Sequence, residues 1–316
     1  MQAVVVDAAG QPARVTEVPI PDPPASTVRV KVKAAGLNAI DNALAAGTMA
    51  EMMKHEYPIV LGRDAAGVVD AVGDGVTGFA VGDEVFGHVL LAPPIKAGTL
   101  AEYAILSAAT VAAMPAGLDF VTAAAIPLAG AAAVGAVDAV DPKPGEAVLI
   151  VGASGGVGSF AVQLVAARGA TVIATGLPEE ADRLRGLGAA VVVDYREDVP
   201  AQVRAAQPDG VAALIDLVSY APEGLAIYAS LVTDGGRVAS TLGATDADVL
   251  ARRHITGTNI MAGPLREVIE PLAQQAAAGT LTVDISQVLP LTEAPAGLQT
   301  IAAGQATGKL VVRVAD

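Results

Sequence analysis

The sequence predicts an α/β protein in two parts, an antiparallel β-barrel and then a doubly wound parallel sheet, and three observations carry that assignment. Residues 147–176, AVLIVGASGGVGSFAVQLVAARGATVIATG, set out strand, glycine-rich turn, helix and second strand in dinucleotide-binding order. Before about residue 120, short apolar runs are separated by Gly and Asp turns, the texture of antiparallel strands. After it, helical and strand patterns alternate.

The strand at 147–151 is a short apolar, β-branched run of the kind buried on both faces of a parallel sheet. The turn follows at once as Gly152, Ala153, Ser154, Gly155, Gly156, Val157 and Gly158. Its glycines permit unusual backbone angles and the close approach of a pyrophosphate, whose charge meets free N–H groups and the positive end of the next helix dipole. A side chain at Gly156 would enter the space the pyrophosphate needs. Ser154 stands where GxGxxG has its second glycine, so the flanking strand and helix carry the assignment rather than the spacing alone. Val157, Phe160, Ala161, Leu164 and Val165 share one helical face, Gly169 marks the stop, and 171–175 is the next parallel strand.

In the first part, 27–33 alternates Val28, Val30 and Val32 with Arg29, Lys31 and Lys33, a half-exposed strand. Further strands are expected at 68–72, 83–86 and 103–106. In the second part, strands are expected at 190–194, 212–216, 236–240 and 256–261, with helices at 179–187 and 222–231. A helix at 265–278 and strands ending at 308–314 have no room in that sheet, so the C-terminus is expected to return to the barrel. The domains are therefore 1–119 with 264–316, and 120–263. Residues 120–137 carry no charge but are Ala-rich and interrupted by Pro127, Gly130 and Gly135. They read as buried helix leading into the cofactor domain rather than a membrane span.

Cysteine is absent, which excludes disulfides, thiolate catalysis and cysteine-ligated metal centres, and suits a reducing cytoplasm. The first residues show no secretory signal pattern. A net charge of -14 without a Lys/Arg cluster disfavours nucleic acid and anionic membrane as partners. Residues 256–261, TGTNIM, read as the last strand of the parallel sheet, with no Lys or Pro to protect its edge. Pairing of that edge with its own copy predicts a homodimer.

A series of motifs then runs in order along the chain: LNAID at 37–41, GRDAAGVV at 62–69, VGDEVFG at 81–87, GTLAEY at 98–103, IPLAG at 126–130, GASGGVG at 152–158, VDYRED at 193–198, GGRV at 235–238 and GKLVVRV at 308–314. Together they resemble the medium-chain dehydrogenase/reductase superfamily, in its zinc-free, quinone oxidoreductase-like branch. The resemblance implies a GroES-like β-barrel catalytic domain and a Rossmann dinucleotide-binding domain. Zinc-dependent relatives place a ligand cysteine where this chain has Asn38 and a ligand histidine where it has Arg63. His55, His88 and His254 form no ligand pattern in sequence and read as ordinary core or surface histidines. The resemblance thus implies no zinc and, as partner, a small-molecule electron acceptor that is already electrophilic, a quinone or an α,β-unsaturated carbonyl, to which hydride is delivered.

NAD-specific sites usually place an acid at the end of the second strand, where a 2′-phosphate would be repelled. Thr175 and Gly176 stand there, and Glu179 and Glu180 come only after Pro178. NADPH is therefore the expected cofactor, with NADH as the alternative. The resemblance places Tyr195 near the adenosine phosphate, where Arg183 or Arg196 would supply charge. It also carries cofactor contact onto Asn38, Ile40, Asp41, Ser219, Thr241, Leu242, Gly243, Ala244 and Lys309. Two family hydroxyls are lost, at Ala132 and Ala43. For the proton that follows the hydride, Asp41, Asp64, Tyr103 and water are the candidates, and Asn38 either orients the ligand or makes a turn hydrogen bond. Two other functions stay open. One is an enoyl-thioester reductase, for which Lys54, Arg63, Arg252 and Arg253 are the available basic groups. The other is an NADPH-binding sensor or structural protein with little turnover.

Overall fold

A computed structural model describes residues 1–314 of the chain. The first unit begins with β1 (Gln2–Val6) and β2 (Arg14–Glu17), which pair antiparallel. Next come β3 (Thr27–Gly36), α1 (Ala39–Ala46), β4 (Ile59–Val60), β5 (Asp64–Val72) and β6 (Glu84–His88). They are followed by β7 (Tyr103–Ser107), β8 (Val111–Ala113), α2 (Phe120–Ala124) and α3 (Pro127–Val140). The alternation in β3 does what the pattern requires: Val28, Val30 and Val32 are fully buried and Lys31 is exposed.

The second unit contains β9 (Ala147–Val151), α4 (Gly156–Ala167), β10 (Thr171–Thr175), α5 (Ala181–Gly186), β11 (Ala189–Val193) and α6 (Val199–Ala206). It continues through β12 (Val211–Asp216), α7 (Pro222–Ala229), β13 (Val232–Ser240), α8 (Ala247–Ala251) and β14 (Thr256–Asn259). All six strands are parallel, in the order β11-β10-β9-β12-β13-β14. Strand order reverses between β9 and β12. Sheets of this kind take ligands beyond the carboxyl ends of the strands at such a reversal, and α4 begins there. Every residue of β9 is buried, as expected of a central strand covered on both faces.

The chain then returns to the first unit with α9 (Arg266–Ala277), β15 (Ile285–Pro290), α10 (Ala294–Ala302) and β16 (Lys309–Arg313). The main sheet there runs β15-β16-β3-β5-β6-β8, with β7 also on β3. It is antiparallel throughout except for the parallel β15–β16 pair. One end of that sheet matters for function. Gly36 pairs with Asp64 and with Val311, and Asp64 pairs with His88, so the turns carrying Asn38, Arg63 and Lys309 meet at that end.

Several expected boundaries move. The units divide between Ala129 and Gly130 and between Gly263 and Pro264, so residues 120–129, assigned above to the second domain, belong with the barrel. The cause is α2, which packs on β3 and β5 rather than on the parallel sheet. Pro127 breaks the Ala-rich stretch into α2 and α3, because proline cannot continue the hydrogen bonding of a preceding helix. The helix expected at 179–187 is a 3₁₀ turn, Pro178–Glu180, followed by α5. The strand expected at 256–261 ends at Asn259, and its outer edge has no partner among the described residues. Among the described residues, no helix is long and apolar enough to cross a membrane.

Candidate active site

The glycine-rich turn has the backbone shape its sequence implies. Gly152 takes φ +83°, and its N–H donates to Thr175 Oγ1 at 2.9 Å, tying the turn to the end of β10. A Cβ at Gly158 would stand 2.2 Å from the carbonyl oxygen of Gly152, so helix and turn approach too closely for any side chain there. Gly155 is different. Its φ is -81°, and an added Cβ would meet nothing nearer than Gly152 O at 3.5 Å. Gly155 is the N-cap of α4, and the space beside it is open. No side chain caps α4, so its first-turn N–H groups have no side-chain partner.

Around this turn, the other predicted residues of the second unit gather at the same carboxyl edge of the sheet. Asp216 Oδ1 accepts from the N–H groups of Val218 (2.9 Å) and Ser219 (3.0 Å), fixing the loop after β12. Ser240 Oγ accepts from Leu242 N (3.3 Å) and Ala244 N (3.1 Å), while Gly243 takes φ +80°, so 241–244 forms a compact turn after β13. Thr175 is buried and committed to Gly152, and a carboxylate oxygen of Glu180 lies 3.6 Å from where a Cβ would stand at Gly176, just past the end of β10. Glu180 is buried and accepts from Leu177 N at 2.8 Å and from Arg183 at 3.1 Å. Arg183 also reaches the Ser154 carbonyl at 3.3 Å, which sets its guanidinium against the phosphate turn. Arg196 pairs with Asp194 at 2.7 Å. Tyr195 is half exposed, its phenol held above its usual pKa by partial burial and then by Glu180.

The first unit holds the second group, at the sheet end formed by β3, β5, β6 and β16. Asp41, in the first turn of α1, accepts from Asn38 N at 2.9 Å and from Gly62 N at 3.2 Å. Lys309 Nζ donates to Leu37 O at 2.9 Å and to Asn38 Oδ1 at 2.6 Å. Asn38 Nδ2 donates to Asp64 Oδ2 at 2.9 Å, and His88 Nδ1 lies 2.7 Å from Asp64 Oδ1. Leu128 N donates to both Asp64 oxygens at 3.3 Å. Arg63 is buried beside the two carboxylates and donates to Ala97 O at 2.6 Å. Two carboxylates thus face two cations within one buried cluster, a balance that ionised groups need away from water. Ile40 instead packs on the hydrophobic core of the barrel. Tyr103 stands apart, its ring beneath Arg29.

Burial, only partly offset by Arg63 and by the hydrogen bond from Asn38, pushes the Asp41 carboxyl up to about 6. A carboxyl whose folded pKa exceeds its unfolded value near 3.9 gives stability that is fully present below about pH 4 and is lost as pH rises through 6. Wild type is therefore expected to lose on the order of 2 kcal/mol through this group between pH 4 and pH 7. Urea unfolding of wild type and Asp41→Asn across that range checks it. An identical pH slope in the two proteins would contradict the assignment.

His88 is buried, as a core histidine is, and the 73–83 connection hides from the sequence the register that sets it opposite Asp64. Arg63, named above as a basic group for a thioester, is sealed inside the barrel and has no surface to offer. Zinc does not fit these residues. Asn38 Oδ1 is committed to an ammonium, Arg63 and Lys309 place two positive charges beside the candidate donors, and His88 Nδ1 is committed to Asp64. Among the described residues, no group of three His, Cys, Asp or Glu side chains is placed to hold a metal ion.

Two family models match the chain, Alcohol dehydrogenase GroES-like domain over residues 24–116 and Zinc-binding dehydrogenase over residues 187–312. Pig quinone oxidoreductase is 32% identical, the match covering 94% of this chain and 92% of that protein. The chain belongs to the medium-chain dehydrogenase/reductase superfamily. Within the superfamily, human mitochondrial NAD(P)H oxidoreductase RTN4IP1 is 31% identical over 91% of this chain and 81% of its own length. A crystal structure of an NAD-dependent alcohol dehydrogenase superposes with a TM-score of 0.89 at 32% identity, with both chains fully covered. The chain is an oxidoreductase of this superfamily, with the GroES-like and Rossmann-like parts its members share.

Proposed function

We propose that the protein is a zinc-independent, NADPH-dependent reductase that delivers hydride to a quinone or an α,β-unsaturated carbonyl. The observation that carries this proposal is the buried cluster of Asn38, Asp41, Arg63, Asp64 and Lys309, which puts fixed protein charges where zinc-dependent relatives hold a metal. An alcohol has no Lewis acid there, which disfavours the alcohol oxidation named for the superposed crystal structure. An already electrophilic acceptor needs none. The names quinone oxidoreductase and NAD(P)H oxidoreductase borne by two relatives support the same class.

When bound, the reduced nicotinamide supplies the hydride. The chain's own work is to hold it. The N–H groups opening α4 take the pyrophosphate, and Arg183, set against the turn by its bond to the Ser154 carbonyl, supplies positive charge for a 2′-phosphate. Asn38, fixed on both sides by Lys309 and Asp64, presents a rigid polar wall that orients a ligand without rearrangement.

Oxidation of NADPH and of NADH against quinones, enones and enoyl thioesters tests the proposal. NADPH is expected to be the better reductant, and turnover is expected to survive metal chelation. Activity lost to a chelator and restored by zinc would overturn the zinc-independent part. Ala132 and Ala43, which lack the family hydroxyls, favour a second possibility, a binding protein with little turnover. Micromolar NADPH binding without reduction of any acceptor would establish that alternative.

A further inference from the structure

We propose that Glu180 sets how strongly the protein prefers a phosphorylated dinucleotide, acting as an internal anion that engages Arg183 in competition with a 2′-phosphate, an inference that rests on the cofactor proposed above. Along the chain Glu180 follows Pro178, past the end of β10. The fold brings it back. Through the 3₁₀ turn Pro178–Glu180, Glu180 Oε2 accepts from Leu177 N at 2.8 Å and lies 3.6 Å from where a Cβ would stand at Gly176. A carboxylate therefore stands at the end of β10, supplied by the following turn rather than by the strand. An acid at that place in a dinucleotide-binding sheet accepts from ribose hydroxyls, whereas an arginine there accommodates a 2′-phosphate.

This chain has both, in contact. Arg183 Nη2 donates to Glu180 Oε1 at 3.1 Å and to Ser154 O at 3.3 Å, so one guanidinium is tied to the acid and to the glycine-rich turn. The Glu180 side chain is 8% exposed and that of Arg183 30%, which leaves the cation the more accessible of the pair. Arg196 is turned elsewhere, onto both oxygens of Asp194. Tyr195 adjoins the pair: after burial, the Glu180 carboxylate is the next cause that raises its phenol. All of these residues belong to the second unit.

The charges decide the outcome. Glu180 and Arg183 cancel, so a 2′-phosphate meets guanidinium donors but no net positive charge from the pair, and the preference for NADPH over NADH is small. Without the carboxylate, Arg183 is a net cation and pairs more strongly with a phosphate. Without the guanidinium, the carboxylate is an uncompensated anion that repels one. The N–H groups opening α4 serve the pyrophosphate of either dinucleotide, so they drop out of the ratio of the two affinities. Glu180→Gln isolates the charge, because a glutamine Oε1 accepts from Leu177 N as the carboxylate does and so keeps the turn.

Fluorescence titration of the full-length protein with NADPH and with NADH tests this, the readout being the Kd for NADH divided by the Kd for NADPH. Wild type is expected to favour NADPH by less than about tenfold. Glu180→Gln is expected to raise the ratio at least about fivefold and Arg183→Gln to lower it at least about fivefold, while Arg183→Lys, which keeps the charge, stays closer to wild type than Arg183→Gln does. Urea unfolding shows whether each variant is folded; should Arg183→Gln fail to fold, the Glu180→Gln ratio decides alone. The proposal is overturned if the ratio in Glu180→Gln rises less than this or falls, which would make Glu180 a support for Arg183 rather than a rival to the phosphate, or if a folded Arg183→Gln keeps the wild-type ratio. A wild type that binds neither dinucleotide overturns the cofactor assignment and this proposal together. A wild type that prefers NADH, with the Glu180→Gln shift still present, overturns only the NADPH preference proposed above.

Discussion

Gly155→Val is expected to bind NADPH roughly 100-fold more weakly than wild type, a loss of about 2.7 kcal/mol, while unfolding at the same urea midpoint. The two halves of that result have separate causes. Valine adopts φ -81° without strain, and its Cβ would meet only one atom of the chain, at 3.5 Å, so the folded protein is not disturbed. The added methyl groups instead occupy the approach to the first-turn N–H groups of α4, which a pyrophosphate needs as donors. Gly158→Val gives the contrast. A Cβ there would lie 2.2 Å from the Gly152 carbonyl, so that variant loses the fold of the turn as well as the cofactor. Cofactor affinity from fluorescence titration, read beside a urea curve, separates the two effects. Undiminished NADPH affinity in Gly155→Val would remove the turn from the binding site.

Lys309→Met is expected to cost about 3–5 kcal/mol of stability, because it removes one partner from a buried cluster and leaves the others uncompensated. Methionine fills similar space but supplies no hydrogen bond to Leu37 O or Asn38 Oδ1, both within 2.9 Å of the ammonium. Asp41 and Asp64 would then share the single charge of Arg63. Burial already holds the Lys309 pKa below its usual value, with Asp64 and Asp41 opposing that shift. The ammonium is therefore kept by those carboxylates, and they by it. A lowered urea midpoint with an unchanged slope checks the loss. A variant as stable as wild type would mean that the carboxylates do not depend on this cation.

The phosphate turn was legible from residues alone because its chemistry is local: strand, turn and helix follow one another within a short stretch, and backbone N–H groups carry the function. The parallel sheet followed for the same reason, since each of its strands announces itself as a buried apolar run and each crossover carries a helix. The family resemblance added Asn38, Asp41, Asp64 and Lys309 as separate residues, with no statement of how they meet. Three segments of the chain far apart in sequence bring them together, and the pairing of β3 with β5 and with β16 sets the register that does so. Periodicity tells which face of a strand is buried but not which residue lies opposite, so His88 kept the appearance of a core histidine until the Asp64–His88 register placed it against a carboxylate. The boundary at residue 120 failed on the same ground. Composition marks where helices begin, whereas the side of the boundary to which a helix belongs depends on what it packs against. The sequence by itself determined the two-part α/β fold, the glycine-rich strand–turn–helix unit and the lack of cysteine chemistry, all of which are properties of short segments or of composition. Tertiary structure alone decided the charge balance, the hydrogen-bond partners within the cluster and the contact of His88 with Asp64, because these depend on distances between segments that no local pattern encodes.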